Sequence, residues 1–170
     1  LMRITSLVNI ENPIEPLLND SILLEHKEGL LLLSGGLWGD VTNLTLIDKK
    51  LATERLNFYK KNFPDSYYLE INPQQNLDNS NELRSLTISL AKDTETPLVA
   101  TWNTHYLHLE DKPAQRILYL VHGNEHSLDE YNHFFQKDTF VFEKNFDTEK
   151  SFADAPEAIS NTLKIAELCN

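Results

Sequence analysis

The fold is decided by the run LLLLS at residues 30–34, which ends in Gly35-Gly36. The run is short and apolar throughout, and glycines bound it, so we predict a strand buried on both faces. Two later segments have a similar character, YYLEI at residues 67–71 and PLVAT at residues 97–101. We therefore expect each of these segments to be a strand of one sheet.

Helical patterns alternate with the strands. Residues 48–63 and 81–92 carry apolar side chains near a 3.6-residue period, and Asp20 can cap a short helix ahead of the first strand. Strands and helices in series indicate a parallel sheet covered by helices, so the predicted class is α/β, either open or part of a barrel. Three strands close no barrel, and a barrel would need partner strands that this chain lacks.

Two regions lie outside the series of strands and helices, one between the first strand and residue 48 and one after residue 112. We predict a polar turn between the paired glycines and residue 48. From Pro113 onward we predict a helix at residues 114–122, a short strand at 139–142 and a terminal helix at 155–168. We therefore divide the chain into an α/β part, residues 1–112, and a mainly helical connector, residues 113–170.

Charge and cysteine content narrow the classes of function. Lys and Arg number 15 against 26 Asp and Glu, a net charge of -11, which disfavours a DNA-binding surface on this segment. The single cysteine, Cys169, allows no internal disulfide, and no apolar run is long enough to span a membrane, so we expect a cytoplasmic protein. Because the chain begins at Leu1 without a leader pattern, we expect a piece of a larger protein and not a complete enzyme.

Chemistry in a parallel α/β sheet is expected just after the strands, at their carboxyl ends. Asn103 and His105 follow the third predicted strand, and i, i+2 spacing puts them on one side, where they could share a ligand. Asparagine offers a metal only a neutral oxygen, and a single histidine is more often a hydrogen-bonded neighbour than a ligand. The turn at Gly35-Gly36 lacks the pattern of a phosphate loop, so we predict glycines with positive φ at a tight strand exit.

Two other candidates are weaker. His122 and His126 have the i, i+4 spacing of a metal pair on a helix, yet Gly123-Asn124 between them indicates the end of that helix. We interpret Cys169 as a small buried apolar group, since no nucleophile in the chain has a paired base in a known motif.

Four blocks, taken in order, resemble the PHP domain (polymerase and histidinol phosphatase) of bacterial DNA polymerase III α subunits. They are EGLLLLSGGLWGD at residues 28–40, YLE at 68–70, PLVATWNTHYL at 97–107 and the tail that starts with FADAPEA at 152–158. The tail looks like the passage from the PHP domain into the palm. The resemblance covers nearly the whole chain and implies the C-terminal part of a distorted β/α barrel.

Intact relatives hold metal ions on His, Asp, Glu and Cys side chains, most of them from an amino-terminal half that this chain does not include. The resemblance puts the family's Cys on Gly36, its Asp on Asn103 and its His on His105. We therefore expect a vestigial metal site at Asn103 and His105, and no cofactor in this fragment. The alternative is zinc, manganese or magnesium in the intact domain.

The function implied by the resemblance is part of a replicative DNA polymerase, a nucleotidyltransferase whose palm carboxylates lie beyond this chain. The fragment itself is then no enzyme but a scaffold that contacts the rest of the α subunit and a proofreading exonuclease subunit, while the parent protein binds DNA. An active PHP phosphoesterase or 3'-5' exonuclease, completed by the missing half, is the alternative. An unrelated α/β binding domain is the third possibility.

Overall fold

The computed structural model describes residues 1–11, 13–14, 16–73, 77, 79–122, 140–142 and 147–169. Three parallel strands form its sheet, in the order β1 (Leu32–Leu33), β2 (Tyr67–Ile71) and β3 (Leu98–Ala100). In the register, Leu32 lies opposite Tyr67, and Leu69 lies opposite Leu98. Helices connect the successive strands. The predicted α/β class with parallel strand-helix units is therefore confirmed.

The helices fall close to the segments predicted for residues 48–63, 81–92, 114–122 and 155–168. In chain order they are α1 (Met2–Glu11), α2 (Asp20–Glu25), α3 (Asp40–Ile47), α4 (Lys49–Asn62), α5 (Ser80–Thr94), α6 (Lys112–His122), α7 (Thr148–Ser151) and α8 (Glu157–Leu168). Short 3-10 turns occupy Gly36–Trp38 and Leu109–Asp111. The carboxylate of Asp48 caps α4 by accepting a hydrogen bond from the backbone N–H of Lys50 at 2.7 Å.

The predicted polar turn before residue 48 is wrong, because the 3-10 turn and α3 occupy this stretch. Asp40 stands in the first turn of α3, where its carboxylate accepts from the N–H of Val41 at 2.7 Å and suits the positive end of the helix dipole. Val41 is fully buried in the core. Tertiary burial thus favours a helix that its β-branched and polar residues do not favour locally.

The first strand, β1, was predicted to be buried on both faces, and this prediction is wrong. The strand covers Leu32–Leu33, and the leucines from 30 to 33 are half-buried. One reason is that β1 is an edge strand of the described sheet, next to β2 alone, whereas the terminal helix covers the other edge strand, β3. At the start of α2 the cap is Asn19, which accepts from the N–H of Ile22, and not the predicted Asp20.

The tail of the chain packs on the sheet. Asn161 on α8 donates from its side-chain amide to the carbonyl of Leu98 at 2.7 Å, and the hydroxyl of Thr162 donates to the carbonyl of Ala100 at 2.9 Å. Phe152 and Ala158 belong to the same apolar core as the strands. Helix α8 therefore covers the outer edge of β3 and satisfies its carbonyl groups.

Further predictions concern the tail and the chain as a whole. Cys169 is exposed at the end of α8, so its predicted burial is wrong. The strand predicted at 139–142 is seen as one bridge between Tyr106 and Val141, and Thr139 lies outside the described residues. Within the part of the chain that is described, no helix is both long and apolar enough to cross a membrane. The division at residue 112 stays a prediction.

Candidate functional site

The carboxyl ends of the three strands gather polar residues at one edge of the sheet. Asn103 and His105 lie together there, with Nε2 of His105 3.1 Å from Oδ1 of Asn103. The two side chains thus lie within hydrogen-bonding distance of each other, and their shared metal site stays a prediction. The imidazole also stands edge-on to the ring of Phe140 at 5.4 Å, and partial burial lowers the pKa of His105. A neutral imidazole is therefore favoured at this position.

The pair offers two possible ligands, an imidazole in the neutral form that binds metals and an amide oxygen. Among the described residues, no three His, Cys, Asp or Glu side chains lie close enough together to hold a metal ion. An amide oxygen brings no charge to balance a divalent cation. Stable metal sites in proteins combine several ligands, among them carboxylate, imidazole or thiolate groups. His122 ends α6, whereas His126 lies outside the described residues, so their proposed pairing is not tested.

The glycine turn after β1 has the conformation that the sequence predicts. Gly35 has φ +82° and Gly36 has φ +56°, values that side-chain-bearing residues rarely adopt. Beside Gly36 stands the side chain of Asn72, and a Cβ atom at position 36 would collide with its amide oxygen. The position to which the resemblance assigns a cysteine ligand is therefore filled by Asn72.

Asn72, Glu70 and Thr101 form a hydrogen-bonded group that the sequence did not reveal. The Asn72 amide donates to the hydroxyl of Thr101 at 2.8 Å and accepts from the N–H of Leu37 at 3.4 Å. One carboxylate oxygen of Glu70 accepts from the hydroxyl of Thr101, and the other accepts from the N–H of Gly35 at 3.1 Å. The available signal was the polar i, i+2 pair at positions 70 and 72, at the end of an otherwise apolar strand.

Arg84 links this edge of the sheet to the tail. Its guanidinium, 7% exposed, holds both carboxylate oxygens of Asp154 at 2.8 and 2.5 Å and donates to the backbone oxygens of Asn72 and Ser151. It also lies 5.0 Å from the ring centroid of Phe152. The hydrogen bond from Arg84 lowers the pKa of Asp154. No sequence signal marked this pair, because its partners are 70 residues apart.

A second ionic group joins the helices α2, α3 and α4. Arg55 makes two hydrogen bonds to the carboxylate of Asp20, at 2.6 and 2.7 Å, and one to Asp40 at 2.7 Å. The hydroxyl of Tyr59 donates to Asp40 at 2.7 Å. The hydrogen bonds from Arg55 lower the pKa of Asp20, and burial beside Asp40 raises the pKa of Tyr59. One guanidinium thus ties three helices together, which is a structural role.

Comparison with known proteins identifies the relatives of this chain. No protein-family model matches it. It is 33% identical to DNA polymerase III subunit alpha of Pasteurella multocida over 91% of the chain, and 33% identical to that of Treponema pallidum over its whole length. The subunit of Buchnera aphidicola is 35% identical over 89% of the chain. The matched parts span 13%, 15% and 14% of these proteins. The chain is therefore a relative of one segment, about a seventh in length, of DNA polymerase III subunit alpha.

Proposed function

We propose that the chain is the C-terminal part of a PHP domain in a replicative DNA polymerase and serves there as a scaffold. The similarity to DNA polymerase III alpha subunits over 89% to 100% of the chain carries this proposal. In this assignment the parent protein is a cytoplasmic DNA-directed DNA polymerase, and nucleotidyl transfer and DNA binding belong to its other parts. The net charge of -11 supports this assignment, because an acidic segment repels the phosphate backbone of DNA.

The proposed metal site is degenerate. The resemblance assigns three ligand positions. Gly36 has no side chain and Asn103 is uncharged, so only His105 keeps the residue type that binds metal in the family. The space at Gly36 is taken by Asn72, and the carboxylate of Glu70 is engaged by Thr101 and Gly35. These residues do not fit a metal centre, since Gly36 and Asn103 supply no charged ligand and His105 alone does not hold a divalent ion.

The proposed partners are the remainder of the alpha subunit and a proofreading exonuclease subunit. Large apolar side chains on the described surface support protein contacts; among them are Ile117, Leu118 and Val121 on one face of α6, exposed by 65%, 62% and 73%. Exposed apolar patches on soluble proteins often mark interaction sites. Ile117→Ser and Val121→Ser should therefore weaken co-purification of the full-length protein with the exonuclease subunit. Co-purification at the wild-type level would remove α6 from the proposed contact.

Metal analysis of the full-length protein tests the scaffold proposal. After dialysis against a mild chelator, we expect less than about one tenth of a zinc, manganese or magnesium ion per chain, and no change in the His105→Ala variant. His26→Ala is the matched control, because His26 is a half-buried histidine that bonds to the carbonyl of Ile22. Bound metal that falls with His105→Ala, but not with His26→Ala, would refute the degenerate site.

An active phosphoesterase or exonuclease is the second candidate, and one observation favours it. His105 and Asn103 do meet at the carboxyl ends of the strands, where a metal centre of this fold class would lie. Metal-dependent hydrolysis of a phosphodiester substrate by the full-length protein, lost in His105→Ala, would establish this candidate.

A further inference from the structure

Two side chains at the carboxyl end of β2, Glu70 in the strand and Asn72 directly after it, each reach the exits of both neighbouring strands. Asn72, 5% exposed, accepts from the N–H of Leu37 after β1 and donates to the hydroxyl and carbonyl of Thr101 after β3, at 2.8 and 3.3 Å. Glu70 accepts from the N–H of Gly35 after β1 and from the hydroxyl of Thr101. The three strand exits are thus joined by hydrogen bonds that run through one strand.

The hydroxyl of Thr101 connects the two side chains. It donates its single proton to Glu70 and accepts from the amide of Asn72, so both of its functions are used in one chain of hydrogen bonds. The backbone oxygen of Asn72 is satisfied as well, by the guanidinium of Arg84. A buried polar group with this degree of satisfaction is stabilising, whereas a partly satisfied one would be costly.

The close approach of Asn72 depends on the residue across from it. A Cβ atom at position 36 would collide with Oδ1 of Asn72, and its nearest other contacts would be atoms of the same amide. The space for a side chain at position 36 and the space for the Asn72 amide are therefore the same space.

We propose that Asn72, Glu70 and Thr101 form a metal-free clamp on the three strand exits, and that Gly36 lacks a side chain to admit the Asn72 amide. The comparison with a metal centre rests on the proposed function, but the clamp itself rests on the hydrogen bonds. A metal ion at the end of a parallel sheet cross-links the strands through its ligands. Here the carboxylate of Glu70 in β2 and the amide of Asn72 directly after β2 make the cross-links.

Hydrogen exchange in the full-length protein tests the clamp. Asn72→Ala should speed amide exchange in peptides that cover residues 34–38 by about tenfold, because the exit of β1 loses the hydrogen bond from the N–H of Leu37 to Asn72. Thr101→Val, which keeps the shape and removes the hydroxyl, should have a similar effect. Asn62→Ala is the matched control, since the Asn62 amide donates to the carbonyl of Phe58 in α4, away from the strand exits. Unchanged exchange at 34–38 in both variants would overturn the clamp.

The shared space is tested by Gly36→Ala in two backgrounds. In the wild-type protein this change should lower the unfolding midpoint by more than Gly29→Ala does. Gly29 has φ +72° with nothing near its missing Cβ, so Gly29→Ala measures backbone strain alone. In the Asn72→Ala background, Gly36→Ala should cost no more than Gly29→Ala. An equal cost in both backgrounds would refute the shared space, and neither result depends on whether metal is found.

Discussion

Replacing Arg84 by methionine should destabilise the chain by about 3 kcal/mol. The change removes both hydrogen bonds to Asp154 and those to the backbone oxygens of Asn72 and Ser151. The buried carbonyl of Asn72 loses a charged donor, a loss of about 1–3 kcal/mol. The carboxylate of Asp154 is half-exposed, so water compensates for much of its loss and the ion pair adds about 1 kcal/mol. Methionine retains part of the packing on Phe152.

Urea unfolding followed by tryptophan fluorescence measures this effect, because Trp102 stacks on Phe152 at 5.2 Å. The matched control is Arg116→Met on the exposed surface of α6, which should change stability by less than about 0.5 kcal/mol. If Arg84→Met cost no more than Arg116→Met, the argument that the guanidinium holds the tail to the sheet would be wrong. Asp154→Asn should lie between the two variants, since the guanidinium then keeps its backbone acceptors.

Three more predictions concern other parts of the chain. Because Arg55 lowers the pKa of Asp20, the stability from this pair should be complete above about pH 4 and lost as the pH falls through the lower folded-state value. Asp20→Asn should therefore make the urea midpoint of unfolding depend less steeply on pH between about pH 2 and about pH 5. The same pH dependence in the variant and the wild type would contradict the assignment. Asn161→Ala should cost about 1–2 kcal/mol in urea unfolding, because a buried β3 carbonyl loses its donor, and a cost near zero would mean that water replaces the amide. The exposed thiol of Cys169 should react with a maleimide in the native protein as fast as in urea; protection in the native state would show that it is covered.

The elements that sequence reasoning located correctly are those with strong local patterns. β2, β3, α4 and α5 carry apolar residues at the period of their own structure, and Pro64 and Pro97 mark boundaries between them. Helix α3 was not predicted, because its sequence DVTNLTLI has weak helix propensity. The helix is stabilised by packing against α4 and α5, which depends on residues farther along the chain.

The candidate site divides in the same way. Asn103 and His105 could be paired from alternation along one strand exit, and the structure brings them together at 3.1 Å. The partners in the group of Glu70, Asn72 and Thr101 are about 30 residues apart, with separations of 29 and 31 along the chain. Alternation cannot reveal which strand will be the neighbour, so these contacts were not predictable.

By itself, the sequence determined the α/β class, the parallel strand-helix order and the positive φ of Gly35 and Gly36, because these depend on local periodicity and on backbone sterics. Tertiary structure alone decided that Asn72 fills the space beside Gly36, that Arg84 holds the tail and that α8 covers the edge of β3. These contacts join groups that are distant along the chain. They stabilise the protein only after the sheet has brought the strand ends together, so local sequence patterns do not reveal them.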